Sequence, residues 1–430
     1  FYGPRSAVRS PRMNSVFLVV IAAMILIVVL LRFKVLIGPA ILSGGLLIWL
    51  FESRSFEKLW IAFTETLTMQ RTWDLLLCLY FVMCLEVELR KSGSLHGMVV
   101  TLRNIFSSNK VTLAFMPAFL GLLPSLGGAR FSAPIVQEAS EGIAVDDEQK
   151  SAINLWFRHI FEFSNPLMPG VILACGIANV SIGDLIDQVG WVTILCFVLG
   201  WIFLIIPLKI THPEKATNTQ HDRTIDWKSL VLAFGPIVTS FLLIVAFNVQ
   251  AALAMGLVVV AFIPLYFWFK RPISVKSVFT ESLDKKLFFN VVCILYFIQL
   301  LTVIGTLDEI VSVFNNSSLP QAVIIACLSF IFGVMTGMGQ GYIAIVMPIV
   351  ALMAPGNIVL VGIAMVYGMA GQMVTPTHLC ILVTVEYFKC RLWKTIGKCG
   401  VLSLLMVLIF SAWTYWRYYL SPSEAKRNLF

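Results

Sequence analysis

Apolar runs of about 18 to 20 residues, the length an α-helix needs to cross a bilayer, alternate with short polar connections along most of the chain. The first two, Ser15 to Leu31 and Val35 to Phe51, are joined by Arg32-Phe33-Lys34 and predict a helical hairpin. Between Glu52 and Thr72 the pattern changes. Phe56, Leu59, Trp60, Phe63 and Leu67 recur at helical spacing in a more polar stretch, which predicts a helix lying in the membrane interface. A third span follows at Trp73 to Glu88. The segment 111–143 is apolar at both ends but interrupted at Pro124-Ser125-Leu126-Gly127-Gly128-Ala129-Arg130-Phe131-Ser132-Ala133-Pro134. Prolines, glycines and an arginine there would break a continuous span, so this segment is expected to enter and leave on one side as a re-entrant hairpin. A fourth span, 151–180, is broken at Ser164-Asn165-Pro166-Leu167-Met168-Pro169-Gly170, and a fifth covers Trp191 to Leu208.

After a polar linker, 209–227, the pattern returns. Spans are predicted over Ser229 to Asn248, Ala251 to Phe269 and Leu287 to Ile304, with a polar stretch at Arg271 to Lys286. A second interrupted hairpin, 321–353, centres on Thr336-Gly337-Met338-Gly339-Gln340-Gly341, and a second broken span, 357–387, carries Thr375-Pro376-Thr377-His378. The last span runs from Cys399 to Tyr419. Local identities carry the same register: Phe63-Thr64-Glu65 recurs as Phe279-Thr280-Glu281, and Leu79-Tyr80-Phe81 as Leu295-Tyr296-Phe297, both 216 residues apart. The separation is 214 at the hairpin exits (Pro134-Ile135-Val136 and Pro348-Ile349-Val350) and 210 at the broken spans. The chain therefore reads as two repeats, 13–208 and 228–420, with a short tail, 421–430. Five crossings per repeat is an odd number, so the second repeat should be inverted. The expected fold class is an all-α polytopic membrane protein of two inverted repeats, each with five transmembrane helices and one re-entrant hairpin.

Charge gives this plan a direction. With ten crossings, 20 lysines and arginines fall on the face bearing Arg32, Arg90, Lys150, the 209–227 linker, Lys276 and Lys394, and nine fall on the other. The richer face should be cytoplasmic, which puts both termini outside a plasma (inner) membrane and makes the linker cytoplasmic. Residues 1–12 precede Met13, are polar and read as a vector-derived leader. The net charge of +8 sits in loops between spans and does not suggest a nucleic-acid partner, while 59% hydrophobic and 13% charged residues exclude a soluble enzyme. The nine cysteines lie in or beside apolar segments without the close histidine pairing of a zinc site, and they read as small core residues.

Candidate chemistry collects at the breaks. Backbone interrupted at membrane depth must find partners, and it offers helix N-termini to an anion and carbonyls to a cation. Gly127, Gly128, Gly337, Gly339 and Gly341 allow close approach of a ligand. Arg130, just past the first tip, is the leading contact for a carboxylate-like substrate, because its planar fork suits such a group; an internal partner such as Glu138 or Glu162 is the structural alternative. Arg158 and Glu162 lie four residues apart and are expected to pair on one helix. Ser125, Ser132, Ser164, Asn165, Thr336, Gln340, Thr375 and Thr377 supply neutral oxygens of the kind that bind sodium, with Pro376 holding the second break open. His159 and His378 keep proton coupling open. Asp146-Asp147-Glu148 is expected to cap the fourth span, and Glu65 and Glu281 to face solvent.

On the order of spans, hairpin and broken span, and its repetition from Met13 onward, the chain resembles the ion transporter superfamily, which includes divalent-anion/sodium symporters, citrate carriers and gluconate permeases. It is most similar to a bacterial and archaeal branch of unknown function. The resemblance implies an elevator carrier, a homodimer in which both hairpins and both broken spans move against a scaffold. In the symporters, Ser-Asn-Thr motifs at the tips and prolines in the breaks bind sodium and carboxylates. Ser125 matches the first tip, and Asn165-Pro166 and Thr375-Pro376-Thr377 match the breaks. Neither tip has the full triplet, and Arg130 lies outside the pattern.

The expected function is therefore secondary active transport of a small organic anion coupled to Na+ or H+. Ser125, Gly127, Gly128, Arg130, Ser132, Asn165, Gly339, Gln340, Thr377 and His378 would contact the substrate. Ser125, Ser164, Asn165, Thr336, Gly337, Thr375 and Pro376 would hold the coupling ion. No cofactor beyond Na+ is expected, and membrane lipid and a second copy of the chain are the expected partners. A cation/proton antiporter on the same fold is the alternative. A lipid-modifying enzyme would need a nucleophile and base or a set of metal ligands that the spacing does not supply.

Overall fold

A computed structural model describes residues 11–420 apart from 34, 106–107, 123–127, 211–224, 272, 307–308 and 310–318. It is built of helices. In chain order these are α1 (Pro11–Arg32), α2 (Ile37–Glu52), α3 (Phe56–Thr68), α4 (Gln70–Lys91), α5 (Ser94–Ile105), α6 (Asn109–Gly121), α7 (Gly128–Ala139), α8 (Asp147–His159), α9 (Pro169–Ala178), α10 (Ile182–Val189) and α11 (Trp191–Gly200). Then follow α12 (Trp227–Phe241), α13 (Ala251–Trp268), α14 (Val275–Glu281), α15 (Lys285–Ile304), α16 (Gln321–Thr336), α17 (Gly339–Met353), α18 (Ile358–Met373), α19 (Leu379–Phe388) and α20 (Leu392–Tyr415). Short π turns extend α11, α12 and α20.

Four of these elements are long and apolar enough to cross a bilayer: Trp227–Ala246, Ala251–Trp268, Lys285–Ile304 and Leu392–Tyr418. Several apolar helices are shorter, among them α2, α16, α17, α18 and α19. Apolar side chains also point outward, as Leu253, Leu257 and Val260 do on α13, which suits a helix facing lipid rather than water. This is a helical membrane protein.

Most helices lie near where the apolar pattern predicts them, and several of them start at a polar cap. Asp146 accepts from the Gln149 amide at 2.5 Å at the head of α8, as expected of the acidic run, and Asn357 accepts from the Val359 and Leu360 amides at 3.1 and 3.2 Å at the head of α18. Three features differ. The last span begins at Leu392 rather than Cys399, because Lys394 and Lys398 reach Glu148 and Asp146 at 3.8 and 3.6 Å and the helix can start in charged sequence. The fourth span does not run straight into the fifth. Asn179 takes a left-handed conformation (φ 55°), Ser181 caps the next helix, and α9 and α10 meet at 111°. The start of the linker is not free either: Lys209–Ile210 pairs antiparallel with Ile143–Ala144.

Contacts between the two halves come in matching pairs. The Tyr80 hydroxyl on α4 donates to the Phe279 carbonyl at 2.8 Å, and the Tyr296 hydroxyl on α15 donates to the Leu59 carbonyl at 3.1 Å. α2 and α3 pack on α15, while α13 and α14 pack on α4. Gly121 on α6 and Gly333 on α16 each sit flat on a neighbouring backbone: a β-carbon would meet the Arg158 carbonyl at 2.1 Å in one case and the Gly368 carbonyl at 2.2 Å in the other. α7 packs on α19, and α17 packs on α9.

Candidate functional site

The two broken spans share one local design. Asn165 precedes Pro166, and its Oδ1 accepts from the Leu167 amide at 3.0 Å; Thr375 precedes Pro376, and its Oγ1 accepts from the Thr377 amide at 3.3 Å. A side chain thus takes up a donor that the interrupted helix releases, and proline prevents the helix from resuming early. α9 and α19 then restart at Pro169 and Leu379. Asn165 also donates to the Leu122 carbonyl at 2.6 Å, tying the first break to the end of α6. Ser164 accepts from the Thr193 hydroxyl at 2.8 Å.

The second hairpin tip lies against the second break. α16 ends at Thr336, whose hydroxyl donates back to the Phe332 carbonyl at 2.7 Å, and Gly337 turns the chain in a left-handed conformation (φ 65°). A β-carbon on Gly337 would lie 2.5 Å from Thr377 Oγ1 and 2.8 Å from the His378 amide nitrogen, so only glycine allows this contact. Thr377 is hydrogen-bonded to Thr375 at 2.9 Å between hydroxyls. Gly339 approaches Gln372, whose Oε1 is buried and has no hydrogen-bond partner among the described residues. Gln340 lines a small cavity of about 20 Å³ with Asn290 and Pro169. That volume suits a single water.

The first tip can be placed only in part. Ser125 and Gly127 lie outside the described residues. Gly128 and Arg130 begin α7, whose backbone alone is described there, and Ser132 is buried two residues on. The structure thus brings together Thr336, Gly337, Gly339, Thr375, Pro376, Thr377 and His378 at one end, with Ser164 and Asn165 at the other break.

Between the breaks lies a polar cluster that the sequence reading did not assemble. Gln372 Nε2 donates to both carboxylate oxygens of Glu162 at 3.0 Å. The two are 210 residues apart, the register of the broken spans, and that coincidence was the available signal. Glu162 Oε1 lies 3.8 Å from His159 Nε2, and the rings of His159 and His378 meet edge to face with centroids 4.8 Å apart. Glu162 does not share one regular α-helix with Arg158: α8 ends at His159, and Glu162 lies in a tighter 3₁₀ turn, where its carboxylate accepts from Gln372. The expectation that no cysteine pairs closely with histidine is also corrected, since Cys380 lies beside His159 and His378. Nor does Glu65 only face solvent: it accepts from Gln299 at 2.5 Å, while Glu281 pairs with Lys91.

A wider cleft of about 490 Å³ opens at the far end of α9, lined by Arg71, Asp74, Asn179, Ser181, Asn248 and Gln250. Arg71 donates to the carbonyls of Gly176 and Ile177, satisfying the acceptors that the end of α9 leaves open.

These helices, with interrupted elements buried among apolar ones, define an integral membrane protein with a polar centre. Residues 12–416 match the family described as "Protein of unknown function (DUF401)", and the chain belongs to that family. No curated protein matches the chain.

Proposed function

We propose that the protein is a cation-coupled secondary transporter of a small organic anion, working by an elevator mechanism between two inverted repeats. The observation that carries this reading is the contact of the Gly337 tip with Thr377 and His378 at a break inside the protein. Backbone that is non-helical in a membrane protein is tolerated where it lines a cavity or binds a ligand. The N-terminus of α19 offers positive potential there, and the unpartnered Gln372 Oε1 offers a cation ligand. The paired contacts Tyr80 to Phe279 and Tyr296 to Leu59, and Gly121 and Gly333 on equivalent carbonyls, support the duplicated plan. Packing of each hairpin's second arm on the other half's broken span would let both hairpins and both breaks move as one body. The cleft at Arg71 is the mouth on the extracytoplasmic side, and Arg130 is the anion's main partner.

Protein reconstituted in liposomes should accumulate a labelled organic anion only under an imposed Na+ or H+ gradient. A preceding thermal-shift screen of organic anions with and without Na+ selects the substrate, since a ligand of the folded state raises apparent stability. Uptake indifferent to both gradients, or unchanged substrate affinity in Arg130→Ala, would overturn the reading. The close approach of Glu162 and His159 favours cation/proton antiport as the second reading. That reading predicts pH-driven cation exchange in the absence of any organic anion.

A further inference from the structure

Three donor atoms from two distant parts of the sequence converge between the breaks. His159 closes α8, His378 stands immediately before α19, and Cys380 lies in its first turn. Their Nε2, Nδ1 or Sγ ligand atoms all lie within 4.8 Å of one another. Both histidines are buried, and Cys380 is partly open.

The two rings are prepared for a metal by their other nitrogens. His159 Nδ1 lies 2.7 Å from the Leu155 carbonyl and His378 Nδ1 lies 2.9 Å from the Gln372 carbonyl. A carbonyl only accepts, so each Nδ1 carries the proton and each Nε2 keeps its lone pair. Metal-binding histidines use this arrangement, in which a backbone acceptor fixes tautomer and ring orientation. The Cys380 sulfur, in the first turn of α19, completes the set of donors. Glu162, 3.8 Å from His159 Nε2, stands where a fourth ligand or an outer-sphere acceptor would be.

We infer that His159, His378 and Cys380 form a binding site for a divalent transition-metal ion of the zinc class. Two imidazoles and a thiolate select such an ion over Na+ or Mg2+, which prefer oxygen. Bonds of about 2.0 Å to nitrogen and 2.3 Å to sulfur put tetrahedral ligands roughly 3.3 to 3.5 Å apart, so the three groups draw together by about an ångström on binding. Because His159 belongs to the first broken span and the other two ligands to the second, the ion would staple the breaks to each other. The site does not depend on which substrate, if any, the protein carries.

The test is a titration of chelator-treated, detergent-purified full-length protein with Co2+ as a spectroscopic stand-in for Zn2+. Expected are visible bands of tetrahedral Co2+ together with a sulfur-to-cobalt charge-transfer band, both displaced by Zn2+, and a rise in apparent melting temperature with Zn2+. Cys380→Ser, a near-isosteric change, should abolish the charge-transfer band, and His378→Gln should weaken Co2+ binding at least tenfold. Cys327→Ser, at an exposed cysteine outside the cluster, should leave both unchanged. No charge-transfer band in the wild type overturns the inference, as does a band that survives Cys380→Ser or is lost with Cys327→Ser. Anion uptake is not part of the readout, so loss of the transport reading would leave this result standing.

Discussion

Gly337 combines two demands that most glycines meet separately: a left-handed backbone and a neighbour too close for a β-carbon. Gly305, at the end of α15, meets only the first, with φ 81° and nothing within 4 Å of where a β-carbon would be. Alanine at either position should cost about 1 to 2 kcal/mol for the left-handed conformation. At Gly337 it must also push Thr377 and the start of α19 away from the tip. Gly305→Ala is therefore expected to lower the melting temperature modestly and leave liposome uptake intact. Gly337→Ala should lower the melting temperature further and depress uptake severalfold or more. Equal behaviour of the two variants would remove the tip from the functional account.

Several helices start at a side-chain cap, and α12 gives the clearest case. Asp226 Oδ1 accepts from the Ser229 amide at 3.0 Å, and its Oδ2 accepts from both the Ser229 hydroxyl at 2.7 Å and the Arg271 guanidinium at 2.5 Å. Burial alone would raise this carboxyl, but the bonds from Ser229 and the charge of Arg271 outweigh it and hold it below the ordinary carboxylate range. A depressed carboxyl stabilises fully above its unfolded value, about 3.9, and loses that contribution as pH falls through the lower folded value. Asp226→Asn keeps the cap but not the charge. Its deficit against wild type, on the order of 0.5 kcal/mol for a pair about one-third exposed, should be present at neutral pH, shrink once pH falls below about 4 and vanish below the lower folded value in thermal melts. A deficit that persists undiminished in acid would assign the effect to the cap alone.

The same scale shows what was legible in sequence. Helix breaks announced themselves, since Pro166, Pro376, Gly337 and their polar neighbours cannot continue a helix, and all fall where the chain is interrupted. The 111° turn at Asn179 was not legible, because an asparagine adopting a left-handed conformation inside an apolar run carries no periodic signal. The polar cluster was hidden for a different reason. Glu162, Gln372, His159 and Cys380 each look like an isolated polar residue on its own helix, and only packing of the two broken spans brings them together.

For the whole molecule, the proposed inversion makes a directional prediction. Arg54, in the turn after α2, and Lys276, on α14, are both exposed and occupy polar connections on what should be opposite membrane faces. In a background with exposed Cys327 replaced by serine, Arg54→Cys should react with an impermeant maleimide added outside intact cells. Lys276→Cys should react only after the membrane is opened. Labelling of both from one side would exclude the ten-crossing topology.

Glu162 faces Gln372 from the matching position of the other half. Two identical half-length chains meeting about a two-fold axis would have to place the same side chain on each side of it. Glutamate on both sides would set two carboxylates in contact in a buried site, and glutamine on both would leave no charge there. A single chain can give each side its own residue. On the duplicated plan, the carboxylate–amide pair therefore dates itself: it could arise only after the ancestral gene had doubled and its two copies could diverge, so whatever chemistry it serves is younger than the scaffold around it.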